Sequence, residues 1–176
     1  MSPQTHRATA SLMLTSLALI SLLLSGAIFG FFYAWICSTM WGLDAADPSV
    51  AIAAMQAMNA SVRNAVFAPA FFGTPVVLII TAMVAGAQRR KRSAWAFLAA
   101  GVVYLVGGLV ATMAVNVPMN EALALVAIPD DTGAARQIWT EYSGEWQIWN
   151  IARTFASGVS LALAGLAIMQ LTEVKS

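Results

Sequence analysis

The chain confines its chemistry to a few polar residues placed at the ends of apolar runs. One group is "NVPMNEAL" (116–123), where Asn116, Pro118, Asn120 and Glu121 follow directly on a stretch fit for hydrocarbon. A second is a stripe in which Trp139, Tyr142, Trp146, Trp149 and Arg153 recur at steps of 3, 4, 3 and 4, with Asn150 alongside. That spacing puts them on one face of a helix. A third, "MQAMN" (55–59), offers Gln56 and Asn59, with Arg63 one turn further on. Polar groups at the edge of hydrocarbon are costly unless they find partners. Trp and Tyr gather at membrane interfaces simply as anchors, but anchoring does not require Arg153 in line with Trp146 and Trp149.

A fixed positive charge beside aromatic faces suits a flat, apolar molecule that carries one oxyanion. In that reading Trp139, Trp146 and Trp149 are the aromatic faces, Arg153 is the charge, and Asn116 and Asn120 are polar groups at the rim. Gln56, Asn59, Pro118 and Asn150 complete the binding wall, and Glu121 and Glu145 are the carboxylates available as a base, either of which is otherwise a solvated surface charge. A carboxylate in that role needs burial, which raises its affinity for a proton. The plainer reading has Asn116 capping the third apolar run and Pro118 stopping it, with the amides holding helices together and Arg153 snorkelling to headgroups.

Composition excludes most other classes. The chain has 176 residues, 60% hydrophobic and 10% charged, with a mean hydropathy of +0.76. A soluble surface cannot hide that much apolar area, so a single membrane domain over 1–176 is expected. The net charge of +1 points to no nucleic-acid partner. One cysteine, Cys37, rules out an internal disulfide, and one histidine, His6, leaves no parts for a histidine metal site or a Ser-His-Asp triad. No metal and no cofactor are expected.

Four runs reach the roughly 20 residues that cross hydrocarbon: about 12–37, 65–87, 93–115 and 154–171. None alternates as a barrel strand would, so the fold class is an all-α integral membrane four-helix bundle. The first run resembles a signal peptide at its start, but no charge appears from Ala8 to Leu43, which is too long for a signal core. "QRRKR" (88–92) fills the turn between the second and third runs and is expected on the cytoplasmic side, with Arg7 and Lys175. Both termini are then cytoplasmic, in a bacterial inner membrane. Seven of the eight acidic residues fall on the other side. There, about 48–63 and 131–149 are expected as two amphipathic loop helices capping the bundle. The first starts at Asp47-Pro48, a capping carboxylate followed by proline at the first helical position.

In their order between four spans, "MQAMN", "NVPMNEAL" and "WQIWNIAR" (146–153) resemble the anthrone oxygenase-like family, small four-helix membrane proteins. "FFYAWICSTMWGLDAADPSVAIAAMQAMN" extends the resemblance to residues 26–171. It implies cofactor-free oxidation of an anthrone to an anthraquinone, with O₂ and an aromatic small molecule as reactants and membrane lipid as surroundings. For that reaction Trp139, Trp146 and Trp149 are expected to stack on the rings, Arg153 with Asn116 and Asn120 to bind the oxyanion, and Glu121 to act as the base. The pattern departs at Ile151, where many relatives carry His, and at Trp41, where many carry Pro. The alternative is a non-catalytic membrane helper or scaffold that binds a lipid, a quinone or a partner subunit.

Overall fold

The computed structural model describes residues 3–172, with side chains described for 11–171. His6, Arg7 and Lys175, which entered the sequence reading, lie outside the described side chains. Among the described residues every regular element is helical. Helix α1 (Pro3–Ala34) passes through a π-helical turn (Trp35–Thr39) into α2 (Met40–Ala45). A sharp corner follows, and Asp47 accepts from the backbone N–H groups of Ser49 and Val50 to start α3 (Pro48–Ser61). Then come α4 (Phe67–Ala87) and α5 (Lys91–Tyr104), and two π-helical turns (Leu105–Val110, Thr112–Asn116) lead into α6 (Val117–Ala124). The chain ends in α7 (Thr132–Thr172), whose first turn is capped by Asp131 accepting from the Ala134 N–H at 2.7 Å.

Four continuous helical stretches are long and apolar enough to cross a membrane: Ser11–Ala45, Phe67–Ala87, Lys91–Ala124 and Thr132–Leu171. The protein is a membrane helix bundle. Around it α1 packs on α4 and α7, and α5 packs on α4 and α7. The lengths differ in a way that matters. At 1.5 Å per residue α4 is about 32 Å long, close to the roughly 30 Å hydrocarbon layer, whereas α7 is about 62 Å. Three of the four rods therefore extend beyond α4 at the acidic end, and α3 takes the fourth place there, packed against α2, α6 and α7.

Two boundaries differ from those expected. Residues 131–149 do form a helix, but it is the outer half of α7 rather than a separate piece lying over the bundle. Hydropathy marks where the apolar stretch begins, and nothing between Trp149 and Thr154 interrupts backbone pairing. Asn116 does not cap the third span and Pro118 does not stop it. Asn116 is helical (φ −70, ψ −31) without a capping bond, and the helix runs on to Ala124. The π-helical turn just before Val117 places the missing Pro118 N–H at the start of a new α-helical ladder, where it is harmless.

Small residues and a few polar bonds join the rods. An added Cβ on Gly107 would stand 2.6 Å from the Ala156 Cβ, and one on Gly108 would stand 2.6 Å from the Tyr104 ring. Both sites use the missing side chain for close approach. Ser160 donates to the Ala100 carbonyl at 2.8 Å, and Ser21 pairs with Thr81 at 2.9 Å. Pro75 inside α4 has no N–H for the carbonyl of Phe71 four residues earlier. The hydroxyl of the fully buried Tyr104 donates to that carbonyl at 3.0 Å.

Candidate functional site

Because α4 starts at Phe67 while its neighbours continue outward, a gap opens where α3 hands over to α4. It holds a cavity of about 600 Å³ with walls from every long rod. Phe31, Phe32 and Trp35 come from α1 and its π-helical turn, Met58 and Asn59 from α3, Phe67, Phe71 and Phe72 from α4. Thr112, Met113, Val117, Asn120 and Glu121 come from the third rod, and Trp146, Asn150 and Arg153 from α7. Both π-helical regions border it, and such turns widen a helix and commonly sit at functional sites.

Arg153 is the centre of the site. Only 4% of it is exposed, and its guanidinium carbon lies 4.8 Å from the centre of the Phe32 ring and 5.2 Å from that of Trp146. Its Nη2 donates to Asn150 Oδ1 at 3.0 Å and its Nη1 to Thr112 Oγ1 at 3.3 Å, while Nε has no hydrogen-bond partner. Among the described residues no carboxylate stands within ion-pair distance of it; the ion pair formed is Arg63–Glu121, at 3.3 Å. Aromatic faces offset part of the cost of burying a cation, about 2 kcal/mol for a desolvated contact. They do not neutralise it. Asn116 and Asn120, expected to act with Arg153 on an oxyanion, make no bond to it; its partners are Thr112 on the facing rod and Asn150 one turn back on α7.

The amides around it have fixed orientations. Asn150 gives its oxygen to Arg153 and its Nδ2 to the Phe32 carbonyl at 3.1 Å. Neither partner could accept the reverse arrangement. Asn120 Oδ1 accepts from Trp146 Nε1 at 3.0 Å and from the Tyr142 hydroxyl at 2.8 Å. An indole N–H can only donate, so the Asn120 NH₂ is held on the other side as a donor. Asn59 Nδ2 in turn donates to the Tyr142 oxygen at 3.3 Å.

The other sequence candidates fall elsewhere. Gln56 donates to the carbonyls of Leu123 and Val126 at 2.8 and 3.1 Å, which ties α3 to the end of α6. Trp139 does not line the cavity: it is buried in the outer core with Met40, Ile52 and Met55, and its Nε1 donates to Asp44. Trp149 and Pro118 are exposed and also stand outside the cavity wall, so neither is placed to stack on or hold a ligand there. Asn116 is wholly buried with both amide atoms unpartnered, behind the lining rather than in it. Glu121 is at the rim, 59% exposed and paired with Arg63, without the burial that a carboxylate base requires. Ile151, 43% exposed, does not line the cavity, so a histidine in its place would not face it either. The sequence reading missed Phe32, Trp35, Phe71 and Thr112, apolar or small residues with nothing to distinguish them from span filling.

The fold and this site define a small membrane helix bundle that holds a cationic, aromatic-walled pocket. The family model for anthrone oxygenase matches residues 63–163. The chain belongs to that family. The matched stretch contains Asn116, Asn120, Trp146, Asn150 and Arg153, whereas α1 and α3 lie before it. No curated protein and no solved structure matches the chain.

Proposed function

We propose that the protein is a cofactor-independent oxygenase that converts a flat anthrone-like aromatic to the corresponding quinone. The observation that carries this reading is Arg153, a buried cation between two aromatic rings with no carboxylate beside it. Such a site prefers a ligand that brings its own negative charge. Removing the methylene proton of an anthrone gives a delocalised oxyanion, and Arg153 with the Asn120 NH₂ stabilises that oxygen. Phe32, Trp35 and Trp146 hold the rings. The electron-rich carbanion passes an electron to O₂, the two radicals combine at the former methylene carbon, and the resulting hydroperoxide loses water. One oxygen atom of O₂ ends in the new carbonyl and the other in water, with no outside reductant. The proton passes to the rim, where Glu121 lines the cavity, and returns to the peroxide anion to give that hydroperoxide, so both hydrogens of the water come from the methylene. Rate acceleration thus rests more on stabilising the anion than on a strong base. The orientation that goes with this reading puts the 88–92 turn and both termini in the cytoplasm of a bacterial cell.

The test is aerobic incubation of the purified protein in detergent with an anthrone, following O₂ uptake and quinone absorbance against empty micelles. Turnover above the micelle background is expected. In Arg153→Gln it should fall by roughly 10²-fold or more, the usual effect of losing one oxyanion donor. Saturable quenching of tryptophan emission without O₂ uptake would identify a binding protein instead of an enzyme.

A further inference from the structure

The mouth of the cavity indicates where its ligand comes from. Arg153 and Asn150 in the wall are buried, whereas Phe72 is 50% exposed and Met113 is 47% exposed. These two, with Ala68 and Val117, are apolar lining residues contributed by α4 and by the third rod, and we take the partly exposed seam between them as a slot with these residues as its lips. Counted from the basic turn at 1.5 Å per residue, Phe72 stands about 22 Å up α4 and Met113 about 33 Å up its rod. The hydrocarbon is about 30 Å thick, so the slot opens at its outer margin. Beyond it, on the water side, the Arg63–Glu121 pair reaches across from the α3–α4 connection to α6. On the water side the lining is this pair with the exposed Asn64 and Ala65, a polar and charged margin, whereas the lipid side offers apolar side chains alone. A second apolar groove lies between α1 and α4, but the Phe31 and Phe67 rings, 4.7 Å apart, stand in its wall, and it does not reach Arg153.

We infer that the cavity is loaded sideways from the bilayer through the slot between α4 and the third rod. Its substrate is a membrane-dissolved flat aromatic, polar edge against Arg153 and any apolar substituent left between the lips. This rests on the reading of the cavity as a site for a flat aromatic oxyanion.

Photolabelling of the full-length protein in lipid nanodiscs tests it without requiring turnover. The probes are an alkyl benzophenone, which dissolves in lipid, and a benzophenone sulfonate, which stays in water. Met58 in the cavity wall is the reporter, read in an Ala70→Phe background that fills the second groove, which Met58 also lines, and the lipid-exposed Met83 on α4 is the internal control. The alkyl probe should label Met58, and the sulfonate should not. Ala68→Phe, and separately Val117→Phe, should lower Met58 labelling by about tenfold, within the range over which association rates at one site vary. Labelling of Met83 and the melting temperature should stay constant. Met58 labelled equally by the sulfonate, or unaffected by both lip variants, overturns lateral entry. Turnover of an anthrone alongside that outcome would leave the oxygenase reading standing, and lateral labelling without turnover would leave the portal standing alone.

Discussion

Arg153→Lys keeps the charge and removes the planar fork, so it separates a positioned guanidinium from a mere membrane anchor. In the structure the guanidinium spans two acceptors, Asn150 Oδ1 at 3.0 Å and Thr112 Oγ1 at 3.3 Å, while lying against Phe32 and Trp146. An ammonium on a shorter reach keeps one acceptor at best. A charged hydrogen bond contributes about 1.5–3 kcal/mol and a cation–aromatic contact about 0.5–2 kcal/mol. The Thr112 bond is long and the ring contacts are only partly lost, so the expected destabilisation is about 2 kcal/mol. For a chain of this length that lowers the melting temperature by about 4–8 °C. The same loss in ligand stabilisation weakens binding by at least about tenfold, since 1.4 kcal/mol is a factor of ten. Thermal unfolding in detergent and quenching of tryptophan emission by a hydroxyanthraquinone measure the two effects. If both are unchanged in Arg153→Lys, the side chain is an interface anchor and the case for an oxyanion site fails.

Three further outcomes are expected. Tyr104→Phe strands the Phe71 carbonyl and should lower stability by about 1–3 kcal/mol. Adding Pro75→Ala restores an N–H to that carbonyl and should recover much of the loss, and non-additive melting shifts in the double variant check it. Gly107→Ala drives a Cβ into Ala156 and should destabilise by about 1–3 kcal/mol. Gly165→Ala, with open space around the added carbon, should be neutral or stabilise by up to about 1 kcal/mol, as the same melting assay reads. Reporter fusions in the turn at Gln88 and in the connection at Asp130 should report opposite sides of the membrane, and agreement between them would refute the topology.

Much of the fold was legible because hydropathy reports partition directly. The four spans, the turn at "QRRKR" and the Asp47-Pro48 start all followed from residue type. Backbone continuity was not legible. Asn116 and Pro118 look like a stop signal, yet the π-helical turn that ends at Asn116 lets the helix pass, and no residue type announces such a turn. The stripe from Trp139 to Arg153 was visible, but steps of 3 and 4 drift around a straight helix. Trp139 and Tyr142 go to the outer core, Trp146 and Arg153 to the cavity, and Trp149 toward the outside. The cavity itself follows from the late start of α4 relative to its neighbours, a difference in length between rods distant in sequence.

The unbroken course of α7 has a consequence for how this chain can change. Trp146, Asn150 and Arg153 face one cavity only because they share the phase of a single helix. One residue inserted between Trp146 and Arg153 would rotate one end against the other by about 100°, since 3.6 residues make a turn. The arginine would keep its sequence neighbours and lose its rings. An insertion of about a whole turn would restore the angle but shift the ends by roughly 5.4 Å, moving Asn120 out of reach of Trp146. Length changes that leave the phase of α7 intact are therefore expected in the non-helical joints, 46–47, 62–66, 88–90 and 125–131.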